Sequence, residues 1–127
     1  MLEPMDENHT WIVLEDASKA VIGAAYFGPE SFSDRVWNLY FLAVAKQHQG
    51  GGVGSALVAY VESNLRNRGN DVAKLLLIET SSVESFEKTR EFYRKQGYVE
   101  EARIRDYYGP SDDKIVFWKR LNEAEVR

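Results

Sequence analysis

Gln49-Gly50-Gly51-Gly52-Val53-Gly54-Ser55 sets a cluster of glycines between two apolar segments. Directly after its glycines, Val53, Leu57, Val61 and Leu65 recur at every fourth position with Val58 beside them. They form the apolar stripe of one helix, and Gly69 stands where a left-handed stop would end it. The stretch is therefore a loop that runs into a helix N-terminus, where unpaired backbone N–H groups and the positive end of the helix dipole converge. Such a point attracts an anion, and glycine lets the backbone approach phosphate oxygens more closely than a Cβ would permit. A flexible connector is the bland alternative. Four glycines among five consecutive positions weigh against it, because each loses more conformational freedom on folding than any other residue.

The segments on either side set the architecture. Val36 to Val44 is an aromatic-rich apolar run that reads as a strand covered on both faces, although periodicity alone also permits a buried helix. Before it, Trp11-Ile12-Val13-Leu14 and Ala20 to Phe27 are β-prone runs joined by the polar turn Glu15-Asp16-Ala17-Ser18-Lys19, the pattern of a hairpin. After the helix, Lys74 to Glu79 is a short apolar run that reads as an interior strand, which completes a strand-helix-strand unit. Ser85 is the expected N-cap of a second helix with Phe86, Thr89, Phe92 and Tyr93 on one face; Gly97 supplies its left-handed stop and Tyr98 the hydrophobic contact. Val99 to Ile104 and Ile115 to Lys119 read as closing antiparallel strands joined through a turn region from Tyr107 to Asp113. This order predicts a mixed α/β sheet protein.

With 127 residues, 44% of them hydrophobic, the chain can bury one core, so a single domain over 1–127 is expected. Its 16 basic and 20 acidic residues are spread along the sequence, and the net charge of -4 leaves no basic face for a nucleic-acid backbone. No apolar run approaches the roughly 20 residues of a spanning helix, and the polar start from Met1 to Thr10 lacks the apolar core of a signal peptide. No membrane partner and a cytoplasmic location are expected. There is no cysteine, and the two histidines, His9 and His48, lie far apart without clustered carboxylates, so no metal site is expected either.

Two familiar phosphate loops do not match. A triphosphate loop needs Gly-Lys-Ser or Gly-Lys-Thr, and Gly52-Val53-Gly54 has no lysine. A dinucleotide loop reads Gly-x-Gly-x-x-Gly, and counting from Gly50 the third glycine would fall at Ser55. What matches is Gln49-x-x-Gly52-x-Gly54, which resembles the Gln/Arg-x-x-Gly-x-Gly/Ala signature of the GNAT superfamily of N-acetyltransferases. Phe92-Tyr93-Arg94-Lys95-Gln96-Gly97-Tyr98 is similar to that family's aromatic-Tyr-x-x-x-Gly-aromatic segment, in a matching order of elements from Trp11 to Leu121.

The resemblance implies a mostly antiparallel sheet with one parallel strand pair beside the cofactor helix. It also implies acetyl-CoA as acetyl donor and a primary amine as acceptor. Leu42, Ala43 and Val44 would pair their backbone with the pantetheine arm, while Gln49, Gly50, Gly51, Gly52, Val53, Gly54 and Ser55 would hold the pyrophosphate. Tyr93 corresponds to the family's general acid, which protonates the departing thiolate; a core aromatic is its other reading. Glu79, at the carboxyl edge of the interior strand, is placed either to accept the amine's proton, directly or through water, or to bond loop amides. Tyr40 reads mainly as a structural neighbour of that opening. Lys46 and His48 flank the loop as weak phosphate candidates, and Trp37, Phe41 and Trp118 as core or interface aromatics. Without a cysteine there is no acyl-cysteine intermediate, so direct transfer in a ternary complex is the simpler mechanism.

Family members usually place a strand and two helices before the first hairpin as part of the acceptor pocket, and about ten residues precede Trp11 here. That part is expected to be shortened or missing. The alternative function is a non-catalytic acyl-CoA-binding or sensor domain. Uncovered aromatic surface at Trp37, Tyr40, Tyr107 and Tyr108 makes a homodimer the expected assembly.

Overall fold

A computed structural model describes residues 8–122. Six strands, β1 (Thr10–Glu15), β2 (Val21–Pro29), β3 (Val36–Val44), β4 (Leu75–Ser81), β5 (Val99–Gly109) and β6 (Asp112–Arg120), form one sheet in the order β1-β2-β3-β4-β6-β5. Every neighbouring pair is antiparallel except β3 and β4. Parallel neighbours need a crossover, and helix α1 (Val53–Arg68) provides it; α2 (Glu87–Lys95) links β4 to β5. This is the mixed sheet with one parallel pair that the sequence predicts.

The hydrophobic pattern places both helices on one face of the sheet. Val58, Val61 and Leu65 of α1 pack on Ala25, Phe27, Leu39, Leu76 and Ile78, and Tyr93 of α2 packs on Phe117. Full burial of one such side chain contributes about 1.5–3 kcal/mol, so this layer carries most of the fold's stability. Gly23 permits the close approach of α1, since a Cβ there would stand 2.9 Å from side-chain carbons of Leu57 and Val53. Neither α-helix packs on the opposite face. It presents Trp11, Tyr26 and Phe41 as a run of contacting rings, with Trp11–Tyr26 centroids 4.6 Å apart and Trp11–Phe41 centroids 5.5 Å apart.

Gly69 and Gly97 end the two helices in left-handed conformations (φ 94° and 95°), and Tyr98 is buried where its N–H reaches the Tyr93 carbonyl at 3.1 Å. Four local expectations are corrected. Ser85 is not an N-cap: it lies inside a 3-10 turn, Glu84–Phe86, that leads into α2 with no side-chain cap. Arg90 ties this entry to the end of β4 by donating to the carbonyls of Ser81 and Val83. Tyr107 and Tyr108 are not in a turn, because β5 continues to Gly109 and only Pro110-Ser111 separate it from β6. Glu79 does not end β4, which runs on to Ser81. Trp37 is core rather than interface: it is 2% exposed and donates its indole N–H to the Val72 carbonyl at 2.9 Å.

One buried charge ties the second helix to the first. Glu62 on α1, 5% exposed, accepts from the Tyr98 hydroxyl at 2.7 Å and from Lys119 Nζ at 3.1 Å, and Lys119 also donates to the Gln96 carbonyl. Removal of the carboxylate leaves a largely desolvated ammonium and a buried phenol without their acceptor. Glu62→Ala should therefore destabilise the protein by about 2 kcal/mol in urea unfolding, below the full cost of a broken buried pair because Lys119 keeps a side-chain exposure of 24%.

Candidate active site

The site originates in a register fault. Phe41 of β3 opposes Tyr26 of β2, yet Leu39 opposes Phe27, so Tyr40 is an extra residue in β3. A bulge bends its strand, and at the same level the parallel pairing stops, with Leu39 and Ile78 as its last partners. β3 continues to Val44 and β4 to Ser81 without pairing to each other, so the two central strands splay.

On the helical side of the splay lies a cavity of about 630 Å³. Of the loop and strand residues expected around a cofactor, all but Ala43, Gly51 and Val53 line it. Val53 is turned into the sheet against Gly23. Gly50 and Gly52 adopt left-handed conformations (φ 82° and 92°) that L side chains rarely reach. Gly52 is the N-cap of α1, which has neither a side-chain cap bond nor an acidic residue in its first turn. The first N–H of this run bonded within the helix is that of Ala56, to the Gly52 carbonyl. The preceding amides therefore form an uncapped positive end. Gln49 closes the loop by donating Nε2 to the Val44 carbonyl at 3.2 Å, and Gln96 Nε2 donates to Ser55 Oγ at 3.0 Å, fixing α1 to the end of α2. Gly54 has a packing reason as well, since a Cβ there would stand 3.2 Å from Phe92 Cζ.

A second cavity of about 430 Å³ opens through the splay and is lined by both central strands, with Tyr40, Glu79 and Thr80 among its walls. Tyr93, Leu42 and Thr89 line both cavities. Tyr93 is 5% exposed, its ring packs against Phe92, Tyr98 and Phe117, and its hydroxyl has no hydrogen-bond partner among the described residues. Burial pushes the phenol up to about 12, so it holds its proton throughout the neutral range. Glu79 does not bond loop amides. Its Oε2 accepts from Asn38 Nδ2 at 3.2 Å and its Oε1 from Lys114 Nζ at 3.2 Å. Burial pulls the Lys114 ammonium down, but Glu79 and Tyr107 outweigh it and hold it above its ordinary value.

An uncapped glycine loop, a splay between parallel strands and a buried tyrosine at their junction form one constellation, and the comparisons with known proteins name it. The model of the acetyltransferase (GNAT) domain matches residues 6–100. The chain belongs to the GNAT acetyltransferase family. A GNAT-family protein of Desulfovibrio desulfuricans is 30% identical over 91% of this chain and 71% of its own, with a TM-score of 0.83. The fold is also shared by the ribosomal-protein-S18-alanine N-acetyltransferase from Escherichia coli (TM-score 0.78, 21% identity, 95% of this chain and 74% of that one). A GNAT acetyltransferase from Elizabethkingia anophelis with acetyl-CoA bound aligns at a TM-score of 0.75 (17% identity, 89% and 76%). No curated protein sequence matches the chain.

In this GNAT domain, Lys46 and His48 do not line either cavity, whereas Lys88, Thr89 and Phe92 of α2 line the first. Their helical spacing with Tyr93 was the available signal, since residues 88, 89, 92 and 93 share a stripe. Asn38 and Asp112 carried no such signal and reach the second cavity's surroundings only through strand pairing. No group of three or more His, Asp or Glu side chains among the described residues could hold a metal ion, and no described helix is long and apolar enough to cross a membrane.

The raised Tyr93 pKa has a consequence for stability. A phenol that ionises near 10 in the unfolded chain and near 12 in the fold stabilises the fold fully below pH 10, and that stabilisation is lost as pH rises through 12. Tyr93→Phe should accordingly lose less stability than the parent protein between pH 10 and 12, by about 2 kcal/mol at the upper end, when both are unfolded in urea along the pH series.

Proposed function

We propose that this chain moves the acetyl group of acetyl-CoA to a primary amine by direct transfer in a ternary complex. The observation that carries the reading is the position of Tyr93 on the wall shared by two cavities, one beside an uncapped glycine loop and the other beside a carboxylate. The residues of the first cavity fit the donor. The unbonded amides at the start of α1 would face its pyrophosphate with Lys88 nearby, and the unpaired edge of β3 at Leu42, Ala43 and Val44 would bond the pantetheine as a strand. Gln49 holds that loop against the end of β3. Acetyl-CoA, when bound, supplies an activated thioester carbonyl.

Tyr93 donates its hydroxyl proton to the sulfur as the new N–C bond forms and the C–S bond breaks. Glu79, directly or through water, takes the proton that the amine gives up. Its ion pair with Lys114 keeps the carboxylate in place at the second cavity. A thiol leaving group has a pKa of about 8.5, so the proton assists departure without being indispensable. An acyl-CoA sensor would need only the first cavity. The second one, with Tyr93 between them, favours transfer.

Two substitutions separate binding from chemistry. Tyr93→Phe should lower the turnover number by about 10²-fold or more while CoA affinity changes little; normal turnover would return Tyr93 to a core role. For the loop, Gly51 is the cleanest position, because its φ is not left-handed and a Cβ would stand at an ordinary 3.4 Å from the His48 carbonyl oxygen. Gly51→Glu should weaken CoA binding in calorimetry by at least about tenfold through repulsion of the phosphates, with an unchanged melting temperature, while Gly51→Ala binds like the parent. Unchanged affinity in a folded Gly51→Glu protein would place the phosphates away from this arm of the loop.

A further inference from the structure

The second cavity, with the Asn38 and Glu30 side chains that adjoin its wall at Glu79, has a polar inventory that acetyl transfer alone does not require. Asn38, 1% exposed, donates Nδ2 to Glu30 Oε1 at 2.5 Å and to Glu79 Oε2 at 3.2 Å, so a single buried amide joins two carboxylates on the helix-free side of the sheet. Carboxylates only accept, which fixes the amide's orientation and leaves Asn38 Oδ1 as a buried acceptor without a donor among the described residues. Thr80, 7% exposed, lines the cavity, and its Oγ1 likewise has no partner. Asp112 adds a third carboxylate at the wall, held by Ser81 Oγ.

Among the described residues only Lys114 forms an ion pair with any of these three acids, and Arg90 is committed to backbone carbonyls. The local field is therefore negative. Tyr40 registers it: its phenol is pushed up to about 12, first by burial and then by the charges of Glu30 and Glu79. From the exposed Tyr40 a strip of rings continues along the open face through half-buried Tyr26, 5.9 Å away, to exposed Trp11, with the His9 ring stacked 6.2 Å from Tyr40 and 6.0 Å from Tyr26. Ring faces attract cations, and the same rings give methylene groups an apolar bed.

Resting on the acetyl-transfer reading above, we propose that the acceptor is a linear primary amine bearing a second ammonium group, a diamine or polyamine. Its reacting nitrogen lies at Tyr93 and Glu79, and its distal cation lies over Tyr40 beside Glu30 and Glu79. An ammonium has three donors and no acceptor, which suits a site with surplus carboxylates. A neutral alkyl tail brings no counter-charge to the carboxylates, and a carboxylate tail meets like charge.

The test compares 1,4-diaminobutane and spermidine with butylamine and 4-aminobutanoate. Calorimetry on the free protein measures binding, and thiol release from acetyl-CoA measures kcat/KM. Spermidine and diaminobutane should exceed butylamine by about tenfold or more in both measures, as expected for one desolvated cation, and raising the salt concentration should narrow the gap. Glu30→Gln, which keeps an acceptor for Asn38, should collapse the diamine-to-butylamine ratio towards one. Asp112→Asn serves as a second variant if thermal melting shows the first to be unfolded. Butylamine or 4-aminobutanoate acetylated as well as the diamines would overturn the substrate class and leave acetyl transfer standing. Tight CoA binding with no acetylation of any of the four amines would overturn both.

Discussion

β3 and β4 pair in parallel only as far as Leu39 and Ile78, and everything functional in this domain depends on that limit. Complete pairing would extend the sheet's ladder to the ends of both strands and leave no room between them. The extra residue at Tyr40 prevents this by bending β3 at the level of its last parallel partner. Backbone groups beyond that level on β3 then lack a strand partner on one side, a state a sheet tolerates only where water or a ligand can reach them. The cavity on one side and the opening on the other are two views of the same missing pairing.

Helix α1 has to serve the sheet and the cavity at once. Its stripe of Val58, Val61 and Leu65 is buried against the central strands, which fixes the direction in which its N-terminus points. The loop before it must then turn sharply, and the left-handed Gly50 and Gly52 make that turn without strain. Gly54 admits Phe92, and through it the second helix, close to the same end. The glycines therefore do not share one role. Two set the backbone path, one allows helix contact, and Gly51 has room for a side chain.

Much of this was legible in the residues. Periodicities of four and two placed α1, the hairpin and the strand-helix-strand unit, because each has one buried face. The glycine run marked the loop that lines the first cavity for a local steric reason, and local sterics are what a sequence displays most directly. The bulge was not legible. Residues 36–44 are nearly all apolar, so the shift of inward side chains from Trp37 and Leu39 to Leu42 and Val44 leaves no break in the pattern. Ser85 misled because the chain enters the second helix through a 3-10 turn, Glu84–Phe86, which puts Ser85 inside the turn rather than at the helix boundary. Asn38 reads as a polar intrusion in an apolar strand. Its meaning depends on Glu30 and Glu79, brought to it by a strand end and a parallel neighbour.

The placement of Tyr93 shows why structural and chemical readings of one residue need not compete. Its ring belongs to the core with Phe117 and Tyr98, and that packing is what desolvates the hydroxyl and keeps it protonated well above neutral pH. A surface tyrosine would hold its proton too, but it would be hydrogen-bonded to bulk water and free to rotate. Core packing fixes the ring, and the splay leaves the one polar atom of that ring without a protein partner at the junction of two cavities. The fold thus holds a fixed hydroxyl, unpaired among the described residues, where β3 and β4 have separated.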